Sequence, residues 1–299
     1  MEALAVESIS KSFRDQRAVD RLSFEVPSRS VFGLLGPNGS GKTTTIRMIL
    51  KILLPDEGTI RVLGSQLTDK SLRRIGYLPE ERGLYRGMRV DDHLVFFGAL
   101  HGLSTTEAKK RSLEWLSRFE AEDWVGKKVQ ELSKGMQQKV QFIGTILHEP
   151  DLVILDEPFS GLDPVNTRLL KDVMLELRDR GCTVIFSTHQ MEQVEKSCDR
   201  ICLIHKGQAV VQGELQRIRS EYGSNTVHVE YTGALPLEAI TALVDGVDDH
   251  GHYAEIRLKK ADDSGQLLRR LVDVVEVRRF ELSEASLHDI FIRLVEEER

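Results

Sequence analysis

An α/β fold with a largely parallel sheet around a phosphate-binding loop, followed by a small α+β unit, is what three features of this 299-residue chain predict. Short apolar runs bounded by turn residues alternate with helical periodicity through residues 1–219. A glycine-rich stretch joins one such run to a helix, and from Ser220 onward both charge and pattern change. With 40% hydrophobic and 29% charged residues, the chain has the composition of a globular protein and length for about two domains.

In chain order, ALAVESI (3–9) and LSFEV (22–26) open as strands and VFGLL (31–35) follows as a third. TTTIRMILKIL (43–53) has helical character, so the opening reads strand, loop, helix. Further helices are expected at about 90–101, 105–119, 134–147 and 165–179, with DLVILDEP between the last two and TVIFST after them. LVIL and TVIF are uninterrupted apolar runs, the pattern of strands buried on both faces of a parallel sheet. RICLIHKGQAVVQ reads as two strands about a Lys206-Gly207 turn. A boundary near 220–225 separates residues 1–221, with a helical insert at about 80–150, from residues 222–299. In the second unit TVHVEYT, YAEIRLK and VEVRRFEL alternate as strands, while PLEAITALV, GQLLRRLV and ASLHDIFIRLV are helical. A short fourth strand near Gly246 to Asp249 completes a βαββαβ, ferredoxin-like plan.

The net charge of −6 offers no global positive field, so a nucleic-acid partner is not expected. The charge is uneven: residues 220–299 hold 17 acids and 9 bases, and residues 1–219 hold 30 and 32. Three cysteines (Cys182, Cys198, Cys202) without a CxxC spacing fit thiols in a reducing compartment. MEALAVESISKSF lacks the basic start and apolar centre of a signal peptide, and no run of about 18 apolar residues occurs. The expected location is therefore cytoplasmic.

Gly36-Pro37-Asn38-Gly39-Ser40-Gly41-Lys42-Thr43 is a complete GxxxxGK[ST] loop between a strand and a helix. Its glycines let backbone N–H groups turn toward phosphate oxygens, and the helix N-terminus adds its positive dipole end. Lys42 is placed for the β- and γ-phosphates and Thr43 for Mg²⁺, with Thr44 next in the same turn. A chance glycine-rich turn would not explain the flanking strand and helix. Leu152-Val-Ile-Leu-Asp156-Glu157 is a Walker B run, in which an apolar strand delivers Asp156 to the metal and Glu157 to the attacking water as general base. Without the loop at Gly36, the same acidic pair would read as a helix cap.

Leu132-Ser133-Lys134-Gly135-Met136-Gln137-Gln138-Lys139, just upstream of Walker B, resembles the LSGGQ signature of the ATP-binding cassette (ABC) family. The resemblance covers residues 3–220 and implies a P-loop ABC ATPase with a helical signature subdomain, using ATP and Mg²⁺. In that family Ser133 and Gly135, with Lys134 and Met136 between and beside them, would face the γ-phosphate of ATP held on the opposite subunit. The expected assembly is a head-to-tail dimer, identical or paired. Lys134 stands where the family has its first signature Gly and Met136 where it has Gln. Phe13 matches the aromatic that stacks on adenine, Ser160-Gly-Leu-Asp163 the D-loop, and His189 the switch histidine. After Ile75-Gly-Tyr-Leu-Pro79 the family's metal-touching glutamine is replaced by Glu80, which either faces the metal or turns outward with Glu81 and Arg82.

PEERGLY, LSKGMQQK and the small C-terminal domain resemble ATPase subunits of ABC-2 type exporters, the sodium-efflux and drug-resistance group. A separate integral membrane permease is then the expected partner, with the chain peripheral on the cytoplasmic face of the membrane. The alternatives are an importer ATPase with a C-terminal regulatory, ligand-sensing domain, and a soluble ABC ATPase not engaged in transport.

Overall fold

A long hairpin, β1 (Glu2–Phe13) and β2 (Gln16–Pro27), opens the chain, its register set by the pairs Leu4↔Val26 and Val6↔Phe24, all four buried. β3 (Val31–Leu35) leaves this sheet, and β4 (Glu57–Val62) returns to it, pairing antiparallel with the free edge of β1. β4 was not legible as an apolar run because, as an edge strand, it is mostly exposed and buries Val62. The computed structural model describes residues 2–14, 16–81, 83–222, 225–282 and 286–297, which fall into two units, Met1–Leu215 and Gln216–Arg299.

The second sheet of the first unit runs β5-β6-β7-β3-β8-β9, with β5 (Ile75–Leu78), β6 (Leu152–Asp156), β7 (Thr183–Thr188), β8 (Arg200–His205) and β9 (Gln208–Glu214). Its neighbours are parallel except for the antiparallel pair β8–β9. Every residue of β3, β6 and β7 is buried, the outcome that their unbroken apolar sequences require. One face of this sheet and the inner face of the β1–β2–β4 sheet share a core that includes Leu4, Phe24, Phe32, Ile46, Ile154 and Ile185.

α1 (Lys42–Ile49) follows β3 and ends four residues before the expected limit. Lys51 adopts a left-handed φ of 57°, and the N–H groups of Ile52 and Leu53 both close on the Arg47 carbonyl, which wraps the helix end. α2 (Asp69–Leu72) is a single turn started by Thr68. The helical insert consists of α3 (Val90–Leu100), α4 (Thr105–Arg118) and α5 (Lys134–Ile146) around Leu94, Ala108, Leu116, Phe119, Val140 and Phe142. α3 and α4 pack closely at Gly98, where an added Cβ would lie 2.8 Å from that of Ala108. α6 (Pro164–Asp179), α7 (Met191–Glu195) and α8 (Leu215–Glu221) complete the connections.

In the second unit β10 (Thr226–Thr232), β11 (Val244–Asp249), β12 (Tyr253–Leu258) and β13 (Glu276–Leu282) form an antiparallel sheet in the order β11-β12-β10-β13. With α9 (Leu237–Ile240), α10 (Ser264–Val272) and α11 (Leu287–Glu297), the order is βαββαβ plus a final helix, the ferredoxin-like plan. Leu267 and Leu271, one turn apart on α10, join Val227, Val229, Ile256 and Leu258 in the core. The helix expected at 236–244 is shorter in the structure. Only Leu237–Ile240 is α-helical, because Val244 pairs with Leu258 and already belongs to β11. The fourth strand expected near Gly246 is β11. Among the described residues no helix is long and apolar enough to cross a membrane.

Candidate active site

Parallel strands place their C-terminal ends at one edge of the sheet, and β3, β6 and β7 deliver their following residues there together. From β3 comes the glycine loop. Gly36 takes φ 149° and an added Cβ would lie 2.2 Å from the Ile204 carbonyl oxygen. Gly41 takes φ 109° and an added Cβ there would lie 2.6 Å from the Ala18 carbonyl oxygen, so both positions exclude a side chain by contact and by backbone angle. Gly41 caps α1 without a side-chain bond, and the N–H groups of Gly41, Lys42, Thr43 and Thr44 have no partner among the described residues. An uncapped, positively polarised helix start therefore faces the loop that Pro37, Asn38, Gly39 and Ser40 complete.

Lys42 is buried and its Nζ donates to the Gly36 and Pro37 carbonyls at 2.8 and 3.1 Å, curling the side chain over its own loop. It also lies 3.9 Å from Glu157 Oε1. Burial pulls the Lys42 ammonium below its ordinary pKa, opposed by the carboxylates of Glu157, Asp156 and Glu80.

Asp156, 1% exposed at the end of β6, accepts the Ser187 hydroxyl on Oδ1, while its buried Oδ2 has no partner among the described residues. A buried carboxylate oxygen left without a donor is the position a hard cation satisfies, and Thr43, in the first turn of α1, carries a hydroxyl oxygen of the kind that such a cation takes. The residues present thus fit a Mg²⁺ ion. Glu157, 7% exposed, adopts a left-handed φ of 49° that carries it out of the strand direction. Its N–H bonds to Ser187 of β7, its Oε2 accepts from Thr188 Oγ1 at 3.2 Å, and its Oε1 lies 2.9 Å from His189 Nδ1. His189 itself is largely exposed, with 46% of its side chain accessible.

Glu80 is exposed, yet its charge acts on Lys42 and on Tyr77, whose phenol is pushed up to about 12 by burial and then by Asp156. Arg82, expected beside it, lies outside the described residues. The backbone of this loop is held from α5, where Gln141 Nε2 reaches the Pro79 and Glu81 carbonyls at 3.5 and 3.4 Å. Gln138 of the same helix donates to the Pro158 carbonyl at 3.3 Å, so α5 touches the loops after both β5 and β6. Ser133 is the N-cap of α5, its Oγ accepting the Met136 N–H at 3.3 Å. Ser133 and Lys134 are exposed and Gly135 and Met136 half-buried. Phe13, 46% exposed at the tip of the β1–β2 hairpin, has Lys11 Nζ 6.0 Å from its ring centre. Asp163 caps α6 by accepting the Asn166 N–H at 2.9 Å, a bond that holds its carboxyl below the usual carboxylate range.

Sequence reasoning overlooked Ser187 and Thr188, which hold the two carboxylates. The signal was available in the pairing of two apolar runs: once LVILD and TVIFST are adjacent parallel strands, Asp156 sits opposite Ser187. Gln138 and Gln141 carried no such signal, because their partners are backbone carbonyls.

Residues 19–160 match the ABC transporter family, and residues 213–295 match the C-terminal domain of DrrA1-3-like ATP-binding proteins. The chain is 44% identical over 296 residues, 98% of both chains, to the uncharacterized ABC transporter ATP-binding protein YhaQ of Bacillus subtilis (strain 168). It is 32% identical over 297 residues to Nod factor export ATP-binding protein I of Paraburkholderia xenovorans (strain LB400), covering 98% of this chain and 96% of that one. A solved ATP binding subunit of an ABC transporter, 33% identical, superposes with a TM-score of 0.69 over 74% of this chain and 93% of its own.

Proposed function

This chain belongs to the ABC transporter ATP-binding family, and we propose that it is the Mg²⁺-dependent ATP-hydrolysing subunit of an exporter whose membrane path is a separate permease. The observation that carries the reading is the convergence of Lys42, Asp156, Glu157 and His189 at the C-terminal ends of three adjacent parallel strands. Export is favoured by the similarity to a Nod factor export protein and by the DrrA1-3-like C-terminal match.

In this reading the free N–H groups of residues 41–44 and the Lys42 ammonium bind the phosphates of ATP, and Phe13 offers an aromatic face to the adenine. Thr43 and Asp156 would hold Mg²⁺, which when bound neutralises charge on the phosphates, and Glu80, whose charge reaches Lys42, would add a second carboxylate. Glu157 accepts the proton of the attacking water. His189 and Thr188 fix the carboxylate's orientation, so that only small adjustments are needed as the reaction proceeds.

The exposed start of α5 at Ser133, through Met136, is a second place for phosphate, presented outward to the ATP of another subunit. Asp163 lies on the same kind of exposed turn. The active form is therefore a dimer, identical or paired, peripheral on the cytoplasmic face of the membrane, with residues 222–299 as an accessory domain.

Purified chain should release phosphate from ATP with Mg²⁺ and stop when the metal is chelated. Ser133→Arg should leave nucleotide binding by each chain within about threefold but abolish ATP-dependent dimerisation and at least about nine tenths of turnover, since bulk and charge enter the contact. No phosphate release by the parent would remove the enzymatic reading, and a Ser133→Arg protein that still dimerises and turns over would remove the shared site.

A further inference from the structure

The turn between β8 and β9, Lys206-Gly207, is far from the glycine loop in sequence but lies against it in the fold. The Gly207 N–H donates to the Ser40 carbonyl at 3.0 Å, and the Gly207 carbonyl accepts the Asp20 N–H of β2 at 2.9 Å. One residue thus joins the phosphate loop to the antiparallel sheet through both of its backbone groups. Gly207 is buried at φ 82°, and an added Cβ would lie 2.9 Å from the Ala18 carbonyl oxygen and 3.0 Å from Val19 Cα. Gly207 Cα is in turn 3.6 Å from the position a Cβ on Gly41 would take. The preceding strand closes the other end of the loop, where the Ile204 carbonyl stands against Gly36. The β8–β9 hairpin therefore touches the loop at its first and last glycines.

The Ser40 carbonyl and the Gly41 N–H belong to one trans peptide plane, in which the two groups point in opposite directions. Holding the carbonyl toward the hairpin turns the Gly41 N–H away from it, and no described residue takes that N–H up. We propose that Gly207 is a positioning residue for nucleotide binding: its amide fixes the Ser40-Gly41 peptide so that the Gly41 N–H is aimed at a phosphate oxygen before ATP arrives. The advantage is preorganisation, since a loop peptide that rotated freely would have to be ordered at the moment of binding. The proposal rests on the nucleotide-binding reading of the loop. Lys206, the other residue of the turn, is exposed and has no such contact with the loop.

Two variants test it. Gly207→Ala adds a methyl group at the strained position and should raise the Kd for ATP and ADP by about tenfold or more. A backbone ester at position 207, glycolate in place of glycine introduced by nonsense suppression, deletes the N–H without adding an atom. It should raise both Kd values by about five- to tenfold, the loss expected for one hydrogen bond. For the ester, kcat at saturating ATP should stay within about threefold and the melting temperature within a few degrees, as expected when binding and not chemistry is affected. Lys206→Ala should keep parent affinity. Parent-like Kd in the ester protein overturns the proposal, and so does an equal loss in Lys206→Ala. A fall in melting temperature and kcat together with affinity in the ester form also overturns it, since the role would then be structural. If the parent itself failed to bind ATP, the fault would lie with the nucleotide-binding reading. If Gly207→Ala does not fold, the ester still decides.

Discussion

Replacing Glu157 by Gln changes one oxygen to an amide nitrogen and removes a charge, with almost no change of shape. The bonds from Glu157 to the Ser187 carbonyl and hydroxyl oxygens are donated by its backbone N–H and remain, and the amide oxygen can still accept from Thr188 Oγ1. Asp156 keeps its Ser187 partner. With that oxygen kept toward Thr188, an amide nitrogen faces His189 Nδ1 in place of Oε1, and two larger things are lost. The amide has no useful basicity, so proton acceptance from water, commonly worth about 10²–10⁴ in rate, disappears and raises the barrier by about 3–5 kcal/mol. The attraction between Glu157 and Lys42, 3.9 Å apart, also disappears. At an effective dielectric constant of about 20 that contact is worth about 4 kcal/mol before desolvation is subtracted. Its loss releases the lysine toward phosphate. Glu157→Gln should therefore lower kcat at least about a hundredfold while ATP binding stays equal or tightens by up to about tenfold. Phosphate release gives the first quantity, calorimetry with Mg²⁺-ATP the second, and size exclusion with ATP should show an accumulated dimer. A kcat within about threefold of the parent would refute the assignment of Glu157 as proton acceptor. Loss of ATP binding along with turnover would refute the claim that its role is separate from the loop's.

Ser187→Ala removes the hydroxyl donor to Asp156 and leaves a buried carboxylate with both oxygens unpartnered. It should cost about 1–3 kcal/mol in stability without metal, with a smaller loss at saturating Mg²⁺-ATP, measured by denaturant titration under both conditions. Glu80→Gln removes one of three carboxylates acting on Lys42 but leaves Asp156 and Thr43 in place. ATPase activity should stay within about tenfold while the Mg²⁺ concentration for half-maximal activity shifts, and superimposable metal titrations would place Glu80 outside the site.

The central strands were legible because burial on both faces leaves no polar position: VFGLL, LVILD and TVIFST are apolar almost throughout. The helices of the insert were legible from periodicity, and the structure adds their caps, Ser104 and Ser133, whose side chains accept the N–H groups of Glu107 and Met136. The edge strand β4, with most of its residues exposed, left no such pattern. Nor did the tail's short α9, where Val244 could serve equally as the end of an apolar helix face or the start of a strand until Leu258 paired with it.

The sequence by itself marked the residues proposed for phosphate binding and acid–base chemistry, because the loop from Gly36 to Thr43 and the run ending in Asp156-Glu157 are local patterns whose geometry follows from consecutive backbone angles. Only the tertiary structure decided what holds them in place. Ser187 and Thr188 reach the two carboxylates across a strand pair separated by some 30 residues, Gln141 supports the Glu80 loop from 60 residues away, and Gly207 meets Ser40 from the far end of the unit. These partners are common residue types, or bare backbone, and acquire a function only when sheet register brings them opposite their targets. A hydrogen bond depends on position in space to a fraction of an ångström, and a one-dimensional pattern fixes that position only within a turn or a single element.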